Sequence, residues 1–400
     1  MAASFQPLKP AVIVACLIVL AGCAAMNPAP GKRELIVVGN DEKVTFGADG
    51  KTVAHPPGND SLSIVDVSKP AAPRIVATIP LNNTVIGPPV NLAIHPSGDF
   101  ALVANSMNAE PDGTGWKNVP DDKVFVIDLK TNPPKVIATL NAGKQPSGMA
   151  INAKGDLALV ANRADGSISV LSIKGNEVKV VDTVSVGAAA DSVSAVVITP
   201  DGKRALAAKA GANKIALLSI DRDKVTYDKR DLPVGIFPYN LGITPNGKLA
   251  IAANNGAGGG SDGNVDTVSV IDLEANPARV IDHVAIGDAP EGFAISPKGD
   301  LAVALLLQGS NVAKDTWFYH PGGAVVALKI DGKKVTKVGE VQVGGLPEGV
   351  AFSPKGDYLY VGNFIDGDMS VLKVSGTKLS VVGQRVKLPG HPASMRSGPQ

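Results

Sequence analysis

Cysteine is nearly missing from this sequence. Cys16 and Cys23 are its two copies in 400 residues, so from residue 24 onward there is no thiol. A disulfide framework, a thiolate metal site and a cysteine nucleophile are excluded there. Charge of one sign is lacking too. With 38 Lys and Arg against 37 Asp and Glu, the chain has no electrostatic footprint for nucleic acid or an anionic lipid surface. HExxH, the Walker loop and CxxCH are all absent, which removes the motif-bearing zincins, Walker-type nucleotide-binding proteins and c-type haem proteins. Aromatic residues make up 4% of the chain, so the places where they gather carry information.

The N-terminus holds one apolar run, AVIVACLIVLAG (11–22), preceded by Lys9. It has the length of a signal-peptide core and is too short for a permanent membrane span. It ends in Leu20-Ala21-Gly22-Cys23, which resembles a bacterial lipobox. The resemblance implies cleavage before Cys23 and a lipid on its thiol; an ordinary secretory signal is the alternative. Ala24, rather than Asp, is similar to the outer-membrane sorting pattern. The expected organisation is a signal peptide (1–22), a lipidated Cys23 with a tether (23–32) and a folded domain (33–400). The expected location is the periplasmic side of a bacterial outer membrane, held by the lipid. Removing residues 1–22 takes away one Lys and no acid, leaving 37 basic against 37 acidic residues.

Length alone suggests two or three domains, but an internal repeat overrides that prior. NLAIHPSGDFALVAN (91–105), GMAINAKGDLALVAN (148–162), AVVITPDGKRALAAK (195–209), NLGITPNGKLAIAAN (240–254), GFAISPKGDLAVALL (292–306) and GVAFSPKGDYLYVGN (349–363) follow one pattern. Each is an apolar run, a turn with glycine where positive φ is needed, and a second apolar run. The turn glycines (Gly98, Gly155, Gly202, Gly247, Gly299 and Gly356) lie 45 to 57 residues apart. A third run follows each time (KVFVID, SISVLSI, KIALLSI, TVSVID, AVVALKI, MSVLKV), then a fourth such as KVIATL or VKVVDTV. The unit is a four-stranded antiparallel meander of the propeller-blade kind.

GHPASMRSG (390–398) repeats the opening of GLPEGVAFS (345–353) without a second run behind it. Its complement lies at the other end, where RELIVVGN (33–40) matches DYLYVGN (357–363), and SLSIVDV and RIVATIPL supply strands three and four. One composite blade made from both ends closes the ring and leaves no open edge. The expected fold is therefore all-β: a seven-bladed β-propeller. Counting from the Pro that opens each first strand, the third residue is large (Leu92, Met149, Leu241, Phe293, Val350, Met395) and the fourth small (Ala93, Ala150, Gly242, Ala294, Ala351). That alternation fits a strand buried on both faces. Arg396 is the exception. It can enter the central channel or point to water from a fraying C-terminus, and the second is expected.

LYVGN (359–363), LVAN (102–105 and 159–162) and SVID (269–272) resemble the YVTN-family bacterial β-propellers, over about residue 33 to the end. The resemblance implies the fold and says little about activity. That family holds surface and periplasmic binding proteins, and related propellers include sugar-lactone hydrolases of the 6-phosphogluconolactonase kind and propeller subunits of amine dehydrogenases. No segment matches a lactonase catalytic motif residue by residue.

Connections between strands two and three, measured from the Asn-type end of one to the Asp-type position of the next, are unequal. They span 26 residues (Asn40 to Asp66), 23 (Asn105 to Asp128), 10 (Asn162 to Ser172), 10 (Lys209 to Ser219), 18 (Asn254 to Asp272), 23 (Leu306 to Lys329) and 10 (Asn363 to Lys373). The four long insertions project from one face, where repeat proteins commonly bind. Both tryptophans, Trp116 and Trp317, fall in them, with His55, Tyr319 and His320. The run DTWFYHPGG (315–323) reads as surface rather than strand. Its rings serve either as ligand platforms or as anchors packing loop on loop.

On the same face, Glu291, Glu348 and Tyr239 each follow an opening Pro, Asn91 and Asn240 stand one position later, and His391 precedes Pro392. Carboxylates on neighbouring blades can share a cation or act as an acid–base pair. Two solvated glutamates are the plainer expectation. Asp262, Asn264 and Asp266 have the spacing of half a calcium loop, without its distal Glu, and suit an ordinary turn equally. For a lactone hydrolase, Glu291, Glu348 or His320 can be the base and Arg163 or Arg396 the cation. The primary expectation is a binding module for a small molecule, glycan or periplasmic protein, using Trp116, Tyr239, Trp317, Tyr319, His320, Glu291 and Glu348. The alternative is a lactonase-type hydrolase or a dehydrogenase's propeller subunit. No cofactor is expected unless a divalent cation such as calcium binds.

Overall fold

A computed structural model describes residues 1–4, 34–256 and 258–398. The signal-peptide segment and Cys23, the expected lipidation site, lie outside the described residues. From Glu34 the chain forms seven antiparallel blades, each of four main strands. Their innermost strands are Leu92–Ile94, Pro146–Ile151, Val193–Ile198, Pro238–Ile243, Pro290–Ile295, Pro347–Phe352 and His391–Ser397. The composite blade is real. Its order is His391–Ser397, Leu35–Asp41, Ser61–Asp66, Arg74–Pro80, with Val38 opposite Met395 and Val37 opposite Arg396.

The large–small alternation has the consequence expected of it. Phe293 fills the space between blades, among Leu249, Ile251 and Val268 on one side and Ala302, Ala304 and Val326 on the other. Burying such a ring contributes about 2–3 kcal/mol. Gly242 is small because a Cβ there would stand 3.1 Å from the Phe293 ring. At the turns, Gly155 has φ +78°, and its carbonyl accepts a hydrogen bond at 2.8 Å from the imidazole Nε2 of His95, joining two blades.

The asparagines that end second strands are buried tie points. Asn40, Asn162, Asn254 and Asn363 donate through Nδ2 to hydroxyls of strand three (Ser63, Ser169, Ser269 and Ser370) at 2.9–3.0 Å. The Oδ1 atoms of Asn162 and Asn363 accept Gly143 N–H and Gly344 N–H from the link entering the innermost strand. The residue that looks like a strand-end signature thus fixes where each innermost strand starts, and with it the channel mouth.

Two of the long insertions are more regular than loops. The first holds a hairpin, Val44–Phe46 with Thr52–Ala54. The second continues the blade itself, as Phe100–Asp112 paired with Gly115–Asp128. Arg396 corrects an expectation. It is not at a frayed end, because its strand is paired along its length with Leu35–Asp41, and its side chain lines the channel.

Candidate functional site at the channel mouth

The opening prolines deliver Tyr239, Glu291 and Glu348 to one place. The sequence favoured solvated glutamates; instead Glu291 and Glu348 are 4% and 2% exposed. The cause is the ring of insertions above them. A cavity of about 180 Å³ is lined by Tyr239, Glu291 and Glu348, by Arg163, by Phe46 and Thr52 of the first insertion, and by Gly258, Gly259 and Asn311 of two others.

The two carboxyl groups line the same small cavity as neighbours, where two buried like charges disfavour each other's ionised form. Burial pushes Glu291 up to about 7, against the pull of the hydrogen bond from Glu348 and the Arg163 charge. Burial and the neighbouring Glu291 charge hold Glu348 well above the carboxylate range. Both groups are therefore raised together, the arrangement of a carboxyl dyad whose like charges cannot both ionise. Asn255 Nδ2 donates to Glu291 Oε1 at 3.4 Å, and Asn240 Nδ2 donates to the Glu291 backbone carbonyl at 3.2 Å. Glu348 Oε2 is buried without a hydrogen-bond partner among the described residues.

Arg163 stands beside the pair. Its Nε donates to Ser192 Oγ at 2.8 Å, and its guanidinium lies 5.6 Å from the centroid of the Tyr239 ring. Burial raises the Tyr239 hydroxyl far above its ordinary value, so it stays a neutral donor. A larger cavity of about 590 Å³ adjoins, lined by Tyr319, Lys314, Phe364 and His391 among others. Phe46 and Asn311 line both cavities.

The structure thus gathers Tyr239, Glu291 and Glu348 at the inner cavity and Tyr319 at the outer one. Trp317 is 83% exposed, edge-on to Phe318, and lines neither. His320 is exposed, with Nδ1 at 2.5 Å from the Gly322 carbonyl. Trp116 sits half-buried near the tip of the second-blade hairpin, opposite Pro111. His55 meets Thr45 Oγ1 at 2.7 Å within the first insertion. Asp262 makes an Asx turn with Asn264 N–H at 2.9 Å, while Asp266 accepts Ala289 N–H. Among the described residues no group of three or more His, Cys, Asp or Glu is placed to hold a metal.

Two members of the site, Arg163 and Asn255, follow the strand-two asparagine of their blades directly. The equivalent positions are Asp41, Ser106, Ala210, Leu307 and Phe364, all buried. That register position, one residue past the repeat's most regular feature, could have found them.

Comparison with known proteins agrees with the architecture. A family model described as a lactonase, seven-bladed β-propeller, matches residues 121–259. That span contains Arg163, Tyr239 and Asn255 and ends before Glu291 and Glu348. No curated protein matches the sequence. Among solved structures, the chain is similar to a putative 6-phosphogluconolactonase from Bacteroides uniformis (17% identity, TM-score 0.66, 91% of this chain and 99% of that one). It is also similar to a periplasmic gluconolactonase from Pseudomonas aeruginosa (18%, 0.66, 92% and 99%). A functionally unknown protein from Desulfotomaculum acetoxidans aligns equally well (15%, 0.67, 92% and 99%). At these identities the likeness is one of fold.

Proposed function

We propose that this propeller, with its lactonase-type family match over 121–259, is a hydrolase of small polar lactones, with Glu291, Glu348 and Arg163 at its centre. The observation that carries the reading is the buried pair of neighbouring carboxyl groups beside a guanidinium in one small cavity. Water placed at Glu291 gives its proton to that carboxylate as its oxygen bonds to the lactone carbonyl carbon. The carbonyl oxygen gains negative charge facing Arg163 and the Tyr239 hydroxyl, groups fixed before the reaction begins. As the ring C–O bond breaks, Glu348 passes its proton to the departing alkoxide. The pair ends with one proton, now on Glu291, which returns to Glu348; a hydroxy acid leaves. The inner cavity suits the ring, and the outer cavity the substrate's remaining polar groups.

The expected compartment remains part of the proposal: the periplasmic face, with Cys23 as lipid anchor. The test is turnover of a panel of five- and six-membered lactones by the domain lacking Cys23. Glu291→Gln and Glu348→Gln are each expected to lower kcat by at least about a hundredfold, as loss of general acid–base catalysis does. A second reading, a binding module, is favoured by the size of the outer cavity. It prevails if the wild type binds these compounds without turnover and Tyr319→Ala abolishes the binding.

A further inference from the structure

The opposite end of the channel carries a different chemistry. A cavity of about 470 Å³ is walled by the innermost strands of six blades: Ala93, Ala150, Val197, Gly242 and Ala294 at the small position of the repeat, with Met149, Leu241 and Phe293 beside them. Its one charged lining residue is Arg396, which occupies that same small position in the composite blade. No hydrogen bond or ion pair joins its guanidinium to another side chain among the described residues, and burial alone displaces its pKa, downward to about 10. The side chain is half-buried, and the walls around it supply no counter-charge. In five other blades the repeat leaves room at this position; here the room is filled by the group best suited to grip a carboxylate through two parallel hydrogen bonds.

We propose that this mouth binds a medium-chain monocarboxylate, its carboxylate paired with Arg396 and its alkyl body against the alanine, isoleucine and leucine walls. Apolar lining with a single convergent polar group is the ordinary make-up of a small-molecule site. A dianion such as phosphate would leave charge against apolar walls, and a neutral alcohol would leave the guanidinium unpaired. The site is independent of the Glu291–Glu348 cavity and of any hydrolysis there.

Calorimetric titration of the domain with octanoate, octanol and inorganic phosphate tests this. Octanoate is expected to bind one to one, at least tenfold tighter than either control, and at least tenfold weaker to Arg396→Met. That variant exchanges a half-buried, unpaired charge for an apolar side chain and is expected to melt no lower than wild type. Ala150→Leu, which keeps Arg396 and fills the cavity, is expected to abolish binding too. No octanoate binding by wild type, or equal binding by Arg396→Met, overturns the proposal.

Discussion

At the residue scale, the site rests on carboxyl groups that pay a desolvation cost. Glu291 has an ordinary value of 4.5 and is raised to about 7 by burial, and Asp41 is raised to about 6 for the same reason. A group whose folded pKa lies above its unfolded value binds more protons when folded. Its stabilisation is fully present below the unfolded pKa and is lost as pH rises through the folded one. Stability is therefore expected to fall between about pH 4.5 and 7. Glu291 alone accounts for roughly 3 kcal/mol of that fall, at about 1.4 kcal/mol per pH unit. Thermal melts at pH 5 and pH 8 check it: Glu291→Gln should flatten the decline and melt above wild type at pH 8. A wild type that is more stable at pH 8 than at pH 5 would be the wrong sign.

At the scale of elements, the insertions wall a generic propeller mouth into a lined cavity. The first is anchored by Lys43, fully buried, with Nζ 2.7 Å from Asp60 Oδ2 and 3.5 Å from Asp41 Oδ1. Asp41 Oδ2 also accepts Val85 N–H at 2.8 Å. Lys43→Met would leave two buried carboxylates facing each other, a change expected to cost on the order of 3–5 kcal/mol. Hydrogen exchange should show the 44–54 hairpin opening first; unchanged stability would mean that the anchor is dispensable. The position of these insertions was legible in the sequence, because spacing along a repeat is a one-dimensional signal. Their shapes were not. Whether a ring such as Trp317 or Tyr319 faces a cavity depends on how separate insertions meet, and pairing distances between blades do not encode that. The burial of Glu291 and Glu348 was hidden for the same reason: their cover comes from residues such as Phe46, more than 200 positions away. The fold, carried by local repeats and by one match between the termini, could be read in full.

For the whole molecule, closure of the ring is what makes both channel mouths possible. The strand His391–Ser397 seals the composite blade and brings Met395 into the core and Arg396 into the channel. A chain ending at Pro389 would expose the edge of Leu35–Asp41 and open the ring along one side, and exposed edges invite association. It is expected to aggregate or to melt well below the full chain, read by size-exclusion chromatography and circular dichroism. An unchanged monomer with an unchanged melting temperature would show that the other six blades close without it.

One experiment reaches the foundation of the proposed chemistry directly. Infrared titration of the domain, with Glu291→Gln and Glu348→Gln as references, reads the carboxylic C=O stretch apart from ionised carboxylates. A protonated carboxyl should persist above pH 8 in the wild type, and in Glu348→Gln the remaining band should titrate away near pH 7, where burial places Glu291. Loss of that band already at pH 6, with both glutamates ionised, would contradict the raised carboxyl pair and remove the basis for the hydrolase.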